Sequence, residues 1–162
     1  MIPETGARMR EAEPTGGARI EHERLRQELE KATTVGGETA EAAREVLKVL
    51  VPHMLLEEEF AIPPLRLLPR LARGEFSPDM MKVLPKAEMM KAELPRMLNE
   101  HELIVAALRK LLQAGLKERH EGYAAFAQRL ILHAQQEEEV FYPASILVGE
   151  YIKLRLGRRP SD

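Results

Sequence analysis

The sequence predicts an all-α protein, an antiparallel up-down four-helix bundle with short extra helices. Three observations predict it. Apolar residues recur every three to four positions along four long stretches, the period of a helix with one buried face. Short links bearing Gly or Pro separate those stretches, and short links make consecutive helices antiparallel neighbours. No run alternates polar and apolar residues, and no Asn-Gly turn marks a pair of strands.

In chain order, residues 1–18 hold Pro3, Gly6, Pro14, Gly16 and Gly17 among charges and read as a flexible N-terminal segment. The bundle domain is expected over residues 19–156. Its first helix starts at Arg19, with His22, Leu25, Leu29 and Ala32 on one face, and Thr33-Thr-Val-Gly-Gly37 ends it. The second runs from Glu38 to about Phe60. Val46, Val49, Leu50, His53, Glu57 and Phe60 make its stripe, and Pro52 should bend it because proline removes a backbone donor. Ala61-Ile-Pro-Pro-Leu65 stops this helix, and residues 65–73 form a short one closed by Gly74. Ser77-Pro78-Asp79 reads as an N-cap with proline at the first helical position. The third region continues to about Gln113, with a kink or break expected at Pro85 or Pro95 and an end at Gly115. Leu94, Met97, His101, Ile104, Val105, Leu108 and Leu112 share one side of it. The fourth helix runs from about Lys117 to Phe141, with Tyr123, Phe126, Leu130, His133, Glu137 and Val140 inward and Pro143 breaking it. Residues 144–156 read as a short final helix and 157–162 as a solvated tail.

Composition narrows the chemistry. At 162 residues the chain is long enough for one domain with a real core. A net charge of −2 argues against non-specific nucleic-acid binding. The absence of cysteine removes disulfides, thiolate metal sites and thiol catalysis together. A transition metal would have to use His and carboxylate, a donor set that suits iron, manganese or zinc. No apolar run approaches the ~20 residues of a membrane span, and the N-terminus has no basic-then-apolar signal pattern, so no membrane association and a cytoplasmic location are expected.

The chemistry-bearing stretch is Leu130-Ile-Leu-His-Ala-Gln-Gln-Glu-Glu-Glu-Val-Phe-Tyr-Pro143. His133 and Glu137 lie one helical turn apart on the apolar face, where a charged carboxylate is costly without a partner. One such pair means little: 26 of 162 residues are acidic, so an acid falls four residues after any histidine about one time in six. The duplication means more. His53-Met-Leu-Leu-Glu-Glu-Glu59 repeats His133-Ala-Gln-Gln-Glu-Glu-Glu139, and Glu21-His22-Glu23 repeats as Glu100-His101-Glu102. His22 and His53 are 31 residues apart, His101 and His133 are 32 apart, and the two halves are offset by about 80. Two hairpins related by a pseudo-twofold would bring His22, His53, His101 and His133 together with Glu57 and Glu137. His120 breaks the pattern, with no acid four residues on, and reads as a surface residue.

Neutral imidazole is a good ligand for iron, and a carboxylate can bridge two cations. Two bridging Glu and two His per metal leave room for an oxide or hydroxide bridge and an open position. Two divalent ions nearly balance two carboxylates and a hydroxide, a charge a bundle core tolerates. Glu58, Glu59, Glu138 and Glu139, with Glu23 and Glu102, read chiefly as a solvated face. The lesser alternative has one of them accept a proton from a ligand imidazole. The methionines at positions 54, 80, 81, 89, 90 and 97 read as core filler. No His-Glu pair closes as HExxH, no His has Glu three residues before it as a ferritin-like site needs, and there is no phosphate loop or nucleophile elbow.

In this order, His22, His53-x-x-x-Glu57, His101 and His133-x-x-x-Glu137 followed by Phe-Tyr-Pro resemble the hemerythrin-like HHE cation-binding domain family, over roughly residues 19–143. The resemblance implies a four-helix bundle around a non-heme di-iron centre: two iron ions with an oxo or hydroxo bridge, zinc or manganese being the alternative occupants. It implies His22, His53, His101 and His133 as terminal ligands and Glu57 and Glu137 as bridges. Oxygen-carrying hemerythrins have a second His four residues after the one in the third helix, where this chain has Val105, and an Asp five residues after the last His, where it has Glu138. That departure disfavours simple reversible oxygen carriage. Relatives with four His and two Glu point to a small ligand such as oxygen, nitric oxide or peroxide, in sensing, detoxification or iron-centre repair. Whether there is turnover is open, as is a protein partner or a homodimer. The alternatives are an iron storage or delivery module without catalysis, and a structural or interaction bundle with a buried His/Glu network.

Overall fold

A computed structural model describes residues 16–157. Most of the expected flexible N-terminal segment, residues 1–15, and the tail from 158 onward lie outside the described residues. Gly16–Ala18 do not continue that segment: they already belong to the first helix, α1 (Gly16–Ala32).

The described residues are mostly helical and contain no strand. After α1 come α2 (Gly37–Leu56), α3 (Ile62–Leu65), α4 (Leu68–Ala72), α5 (Leu84–Lys117), α6 (Glu121–Gln136) and α7 (Tyr142–Gly157). A 3₁₀ segment, Pro78–Val83, precedes α5, and five-residue π-helical turns, Glu57–Ala61 and Glu137–Phe141, follow α2 and α6. The all-α bundle expected from periodicity is the fold. Helices α1, α2, α5 and α6 bury one apolar core that includes Leu29, Val46, Leu50, Ile104, Leu108, Leu111, Phe126 and Leu130. Each such side chain contributes roughly 1.5–3 kcal/mol by leaving water. No described helix is long and apolar enough to cross a membrane.

The two hairpin turns are tied to each other. Gly36 and Gly37 turn the chain with φ of 77° and 66°. Just beyond them, the N–H groups of Glu38 and Thr39 donate to the Glu118 carboxylate at 3.0 and 2.6 Å. Glu118 follows α5 and caps α2 from across the bundle, supplying the acceptor that a helix N-terminus needs. A Cβ at Gly37 would run into that carboxylate.

At the opposite end, α5 extends past the four-helix core and is covered by α7. At Gly149 of α7 they approach closely: a Cβ there would stand 2.6 Å from the Ala87 Cβ. A second apolar cluster, Phe60, Ala61, Met90, Met97 and Tyr142, fills this end, and Met80, Val148 and Ile152 form a third beyond it.

The break expected at Pro85 or Pro95 falls at Pro85, and proline departs from the expectation at Pro63 and Pro143. α5 is one continuous 34-residue helix that passes through Pro95. Pro95 and Lys91, whose carbonyl loses its partner, are both exposed, so solvent can satisfy that carbonyl. The interruption falls earlier, as the 3₁₀ turn ahead of Pro85, and α5 continues past Gly115 to Lys117. Pro63 and Pro143, read as stops, instead lie two residues beyond the two π turns, and the chain stays helical into α3 and α7. Each proline deprives the carbonyl four residues back of a donor and crowds it. Widening the helix by one residue relieves the crowding. The N–H of Ile62 then donates to the Glu57 carbonyl, and that of Tyr142 to Glu137, both over five residues. The wider turn rotates Val140 outward, to 55 % exposure, against the expectation that it packs inward.

Candidate metal centre

The cluster lies between the four-helix core and the apolar cap. α1 supplies His22, α2 His53, α5 His101 and α6 His133, while Glu57 and Glu137 are the first residues of the two π turns. All six expected residues come together. Each carboxylate meets two histidines, and with different oxygens. Glu57 Oε2 is 3.2 Å from His22 Nε2, and Oε1 is 3.3 Å from His53 Nε2. Glu137 Oε2 is 3.3 Å from His101 Nε2, and Oε1 is 2.8 Å from His133 Nε2. The ligand atoms of His53, Glu57, His101 and Glu137 lie within 4.8 Å of one another, a group that could hold a metal ion. Five of the six residues are buried, and the His133 side chain is 21 % exposed.

The outer ring nitrogens are also occupied. His22 Nδ1 donates to Glu58 at 3.1 Å, His53 Nδ1 to Glu100 at 2.8 Å and His101 Nδ1 to Glu138 at 2.9 Å. His133 Nδ1 faces Glu21 at 3.8 Å. The arrangement follows the sequence repeat: Glu58 and Glu138 directly follow the two inner carboxylates, and Glu21 and Glu100 directly precede two of the histidines. Glu58 and Glu138 are therefore not merely solvated, as their position past the buried face suggested. Glu59, Glu139, Glu23 and Glu102 are exposed, as expected. The role of Glu21 and Glu100 was missed. Its signal is the residue before His in both EHE triplets, but each serves a histidine on a different helix, so reading it required the packing.

Tyr142 was missed as well. Its phenolic oxygen lies 3.0 Å from both His53 Nε2 and His101 Nε2, and its O–H donates to Glu57 Oε1. At the α-helical period a residue five past Glu137 points about 140° away. The π turn brings it back to the same face. Its first-half counterpart, 80 residues earlier, is Ile62.

Six carboxylates surround four imidazoles, and the charges respond. Burial opposes charge on His22, yet its bonds to Glu57 and Glu58 outweigh that and hold it above its ordinary value. His53 is raised in the same way, against burial, by Glu57 and Glu100. The bond to Glu137 dominates at His133 and raises it to about 9. Burial favours neutral Glu57, but His22, His53 and Tyr142 hold it well below the usual carboxylate range. Burial, then Glu57 and Glu137, push the Tyr142 phenol far above its ordinary value. Among the described residues the buried side-chain atom without a partner is Ser145 Oγ, which is not part of the cluster.

The donors fit a cation. Imidazole nitrogen and carboxylate oxygen suit iron, manganese or zinc. Two ligands about 2.0–2.2 Å from one ion and at right angles stand about 3 Å apart, and the His–Glu contacts are 2.8–3.3 Å. A cavity of about 10 Å³, the room one water needs, separates the cluster from Leu25, Leu50, Ile104 and Leu130. A second cavity of about 390 Å³ adjoins the His22–His133 edge, with Ala18, Ile62, Leu65, Leu68 and Phe141 in its wall. His120 takes no part: it precedes α6 at the far end of the bundle, half-buried beside Tyr123.

The sequence matches the family model of the hemerythrin HHE cation binding domain over residues 18–145, which includes every residue of the cluster. No curated protein and no solved structure matches it.

Proposed function

The chain belongs to the hemerythrin HHE cation-binding domain family, and from that premise we propose that it holds a non-heme di-iron centre and there meets a small ligand such as oxygen, nitric oxide or peroxide. One observation carries the proposal: each oxygen of the two buried carboxylates faces a different histidine Nε2. That is the arrangement of two bridging carboxylates. His53 and His101 would hold one metal with Glu57 Oε1 and Glu137 Oε2, and His22 and His133 the other with the remaining oxygens. Iron would supply the redox-active Lewis acid at which a small molecule binds.

This chain's own residues do the rest. Glu58, Glu100 and Glu138 accept hydrogen bonds from the Nδ1–H groups, which turns each Nε2 lone pair inward and raises its basicity. Leu25, Leu50, Ile104 and Leu130 close the cluster on its core side around a cavity of only about 10 Å³. The larger cavity gives a small molecule an apolar approach at the His22–His133 edge.

Elemental analysis of untagged protein tests the proposal. About two irons per chain, with a spectrum that changes on adding nitric oxide, is expected. Protein that stays metal-free after anaerobic incubation with ferrous iron overturns it. Tightly held zinc or manganese would keep the site and replace the chemistry. Iron that passes readily to a chelator with no ligand-dependent spectrum would make it a storage or delivery module. The structural-network alternative rests on a specific observation, that the His/Glu network is internally paired without a cation. It predicts that His101→Ala leaves metal content unchanged.

A further inference from the structure

We propose that Tyr142 is a further metal ligand, bound as phenolate at the His53–His101 position. The inference rests on the metal-centre reading and adds a donor to it. The phenolic oxygen touches three of the four groups that converge there: His53 Nε2 and His101 Nε2, both at 3.0 Å, and Glu57 Oε1. Those separations match the ones between the histidines and their carboxylates, so the oxygen stands among these donors as one more of them. It has no hydrogen bond outside the cluster.

The side chain is also built to stay. Tyr142 is 1 % exposed and packs with Phe60, Met90 and Met97. Its own N–H donates to the Glu137 carbonyl across the π turn, which fixes it to a candidate ligand. A tyrosine placed only to fill the cap would not need its hydroxyl aimed at two imidazoles and a carboxylate. When a metal takes the position, the phenol O–H bond breaks, a metal–oxygen bond forms and the proton passes to solvent, with no change of oxidation state. Ile62 holds the matching place in the other half and offers no oxygen. The His22–His133 position therefore lacks a phenolate and keeps its coordination for an outside ligand.

The test loads the full chain with ferric iron and measures iron content, visible absorption and resonance Raman scattering. The expected result is a phenolate-to-iron charge-transfer band with tyrosinate ring vibrations, lost completely in Tyr142→Phe and kept in Tyr151→Phe. Wild-type protein that holds about two irons but shows no tyrosinate vibrations overturns the inference and leaves the di-iron reading standing. A band that survives in Tyr142→Phe also overturns it. Protein that takes up no iron overturns both. If Tyr142→Phe fails to fold, the wild-type vibrations decide alone.

Discussion

His53 and His101 are each about 1 % exposed, whereas the His133 side chain is 21 % exposed and shares with His22 an edge that borders a cavity of about 390 Å³. The two sides of the cluster use the same residue types and descend from one repeated pattern. They differ in what surrounds them. The buried side has Tyr142 against both Nε2 atoms and close outer carboxylates at 2.8 and 2.9 Å. The open side has Ile62 in place of the tyrosine, and at His133 an outer carboxylate 3.8 Å away. A duplicated set of histidines and carboxylates thus yields one pair of histidines that is enclosed and one that is approachable.

The largest expected effects break the buried side. His101→Ala removes a partner of Glu137, Glu138 and Tyr142 at once and leaves charge buried without compensation, at a cost of about 3–5 kcal/mol. Its metal content should fall to near zero. His133→Ala, at the open edge, should cost less than half as much and keep one metal position filled. Thermal unfolding and elemental analysis check both. Equal losses from the two variants would show that the sides are not inequivalent.

Acidity offers the next test, and its sign is opposite for the fold and for the metal. The ordinary histidine value is 6.5, and His133 is raised to about 9. In metal-free protein its stabilisation is complete below about 6.5 and is lost as pH rises through about 9. His22 and His53 are raised too and act in the same direction. Protons compete for the same nitrogens, so metal uptake should strengthen across that range. Chelator-stripped protein should therefore melt at lower temperature at pH of about 9.5 than at about 6.5, while metal-loaded protein does not. Stripped protein with a flat or rising melting temperature would remove the imidazolium pairs from the account.

Most of this fold and the inner cluster were legible in the sequence because both obey the α-helical period. His53 and Glu57, or His133 and Glu137, lie four residues apart, and the EHE triplets repeat with the same offset. What was illegible begins where the period changes. Pro63 and Pro143 mark helix ends to a reader who knows only that proline removes a donor. The chain instead widens by one residue, and that step turns Val140 out and Tyr142 in. Glu100 and Glu21 were hidden for a different reason: each serves a histidine on a neighbouring helix, and adjacency is a property of packing.

The outer carboxylates give a smaller effect that sharpens the comparison. Glu100→Gln removes the acceptor 2.8 Å from His53 Nδ1 and should weaken metal binding by about 10–100-fold, the usual cost of losing such a partner. Glu21→Gln, behind His133 at 3.8 Å and over half exposed, should cost less than about tenfold. Competition against a chelator reads both. A larger loss from Glu21→Gln would place the better-supported position at the open edge.

The smallest expected effect lies at the far end of the bundle, and it separates the fold from the site. Glu118 accepts the Glu38 and Thr39 N–H groups and the Thr39 hydroxyl, and these bonds, Thr39 first, hold its carboxyl below the usual range. Glu118→Ala removes an N-cap from α2, the helix that carries His53, and should lower the melting temperature by about 2–4 °C. A depressed carboxylate stabilises above its ordinary value of 4.5 and loses that as pH falls, so the gap between wild type and variant should close on acidification. Metal content should not change, because the apolar core from Leu29 to Leu130 stands between this cap and the cluster and fixes His53 independently of how α2 begins. A variant that lost metal in step with its melting temperature would mean that the cluster is positioned by the hairpin ends, and that the core does not insulate it.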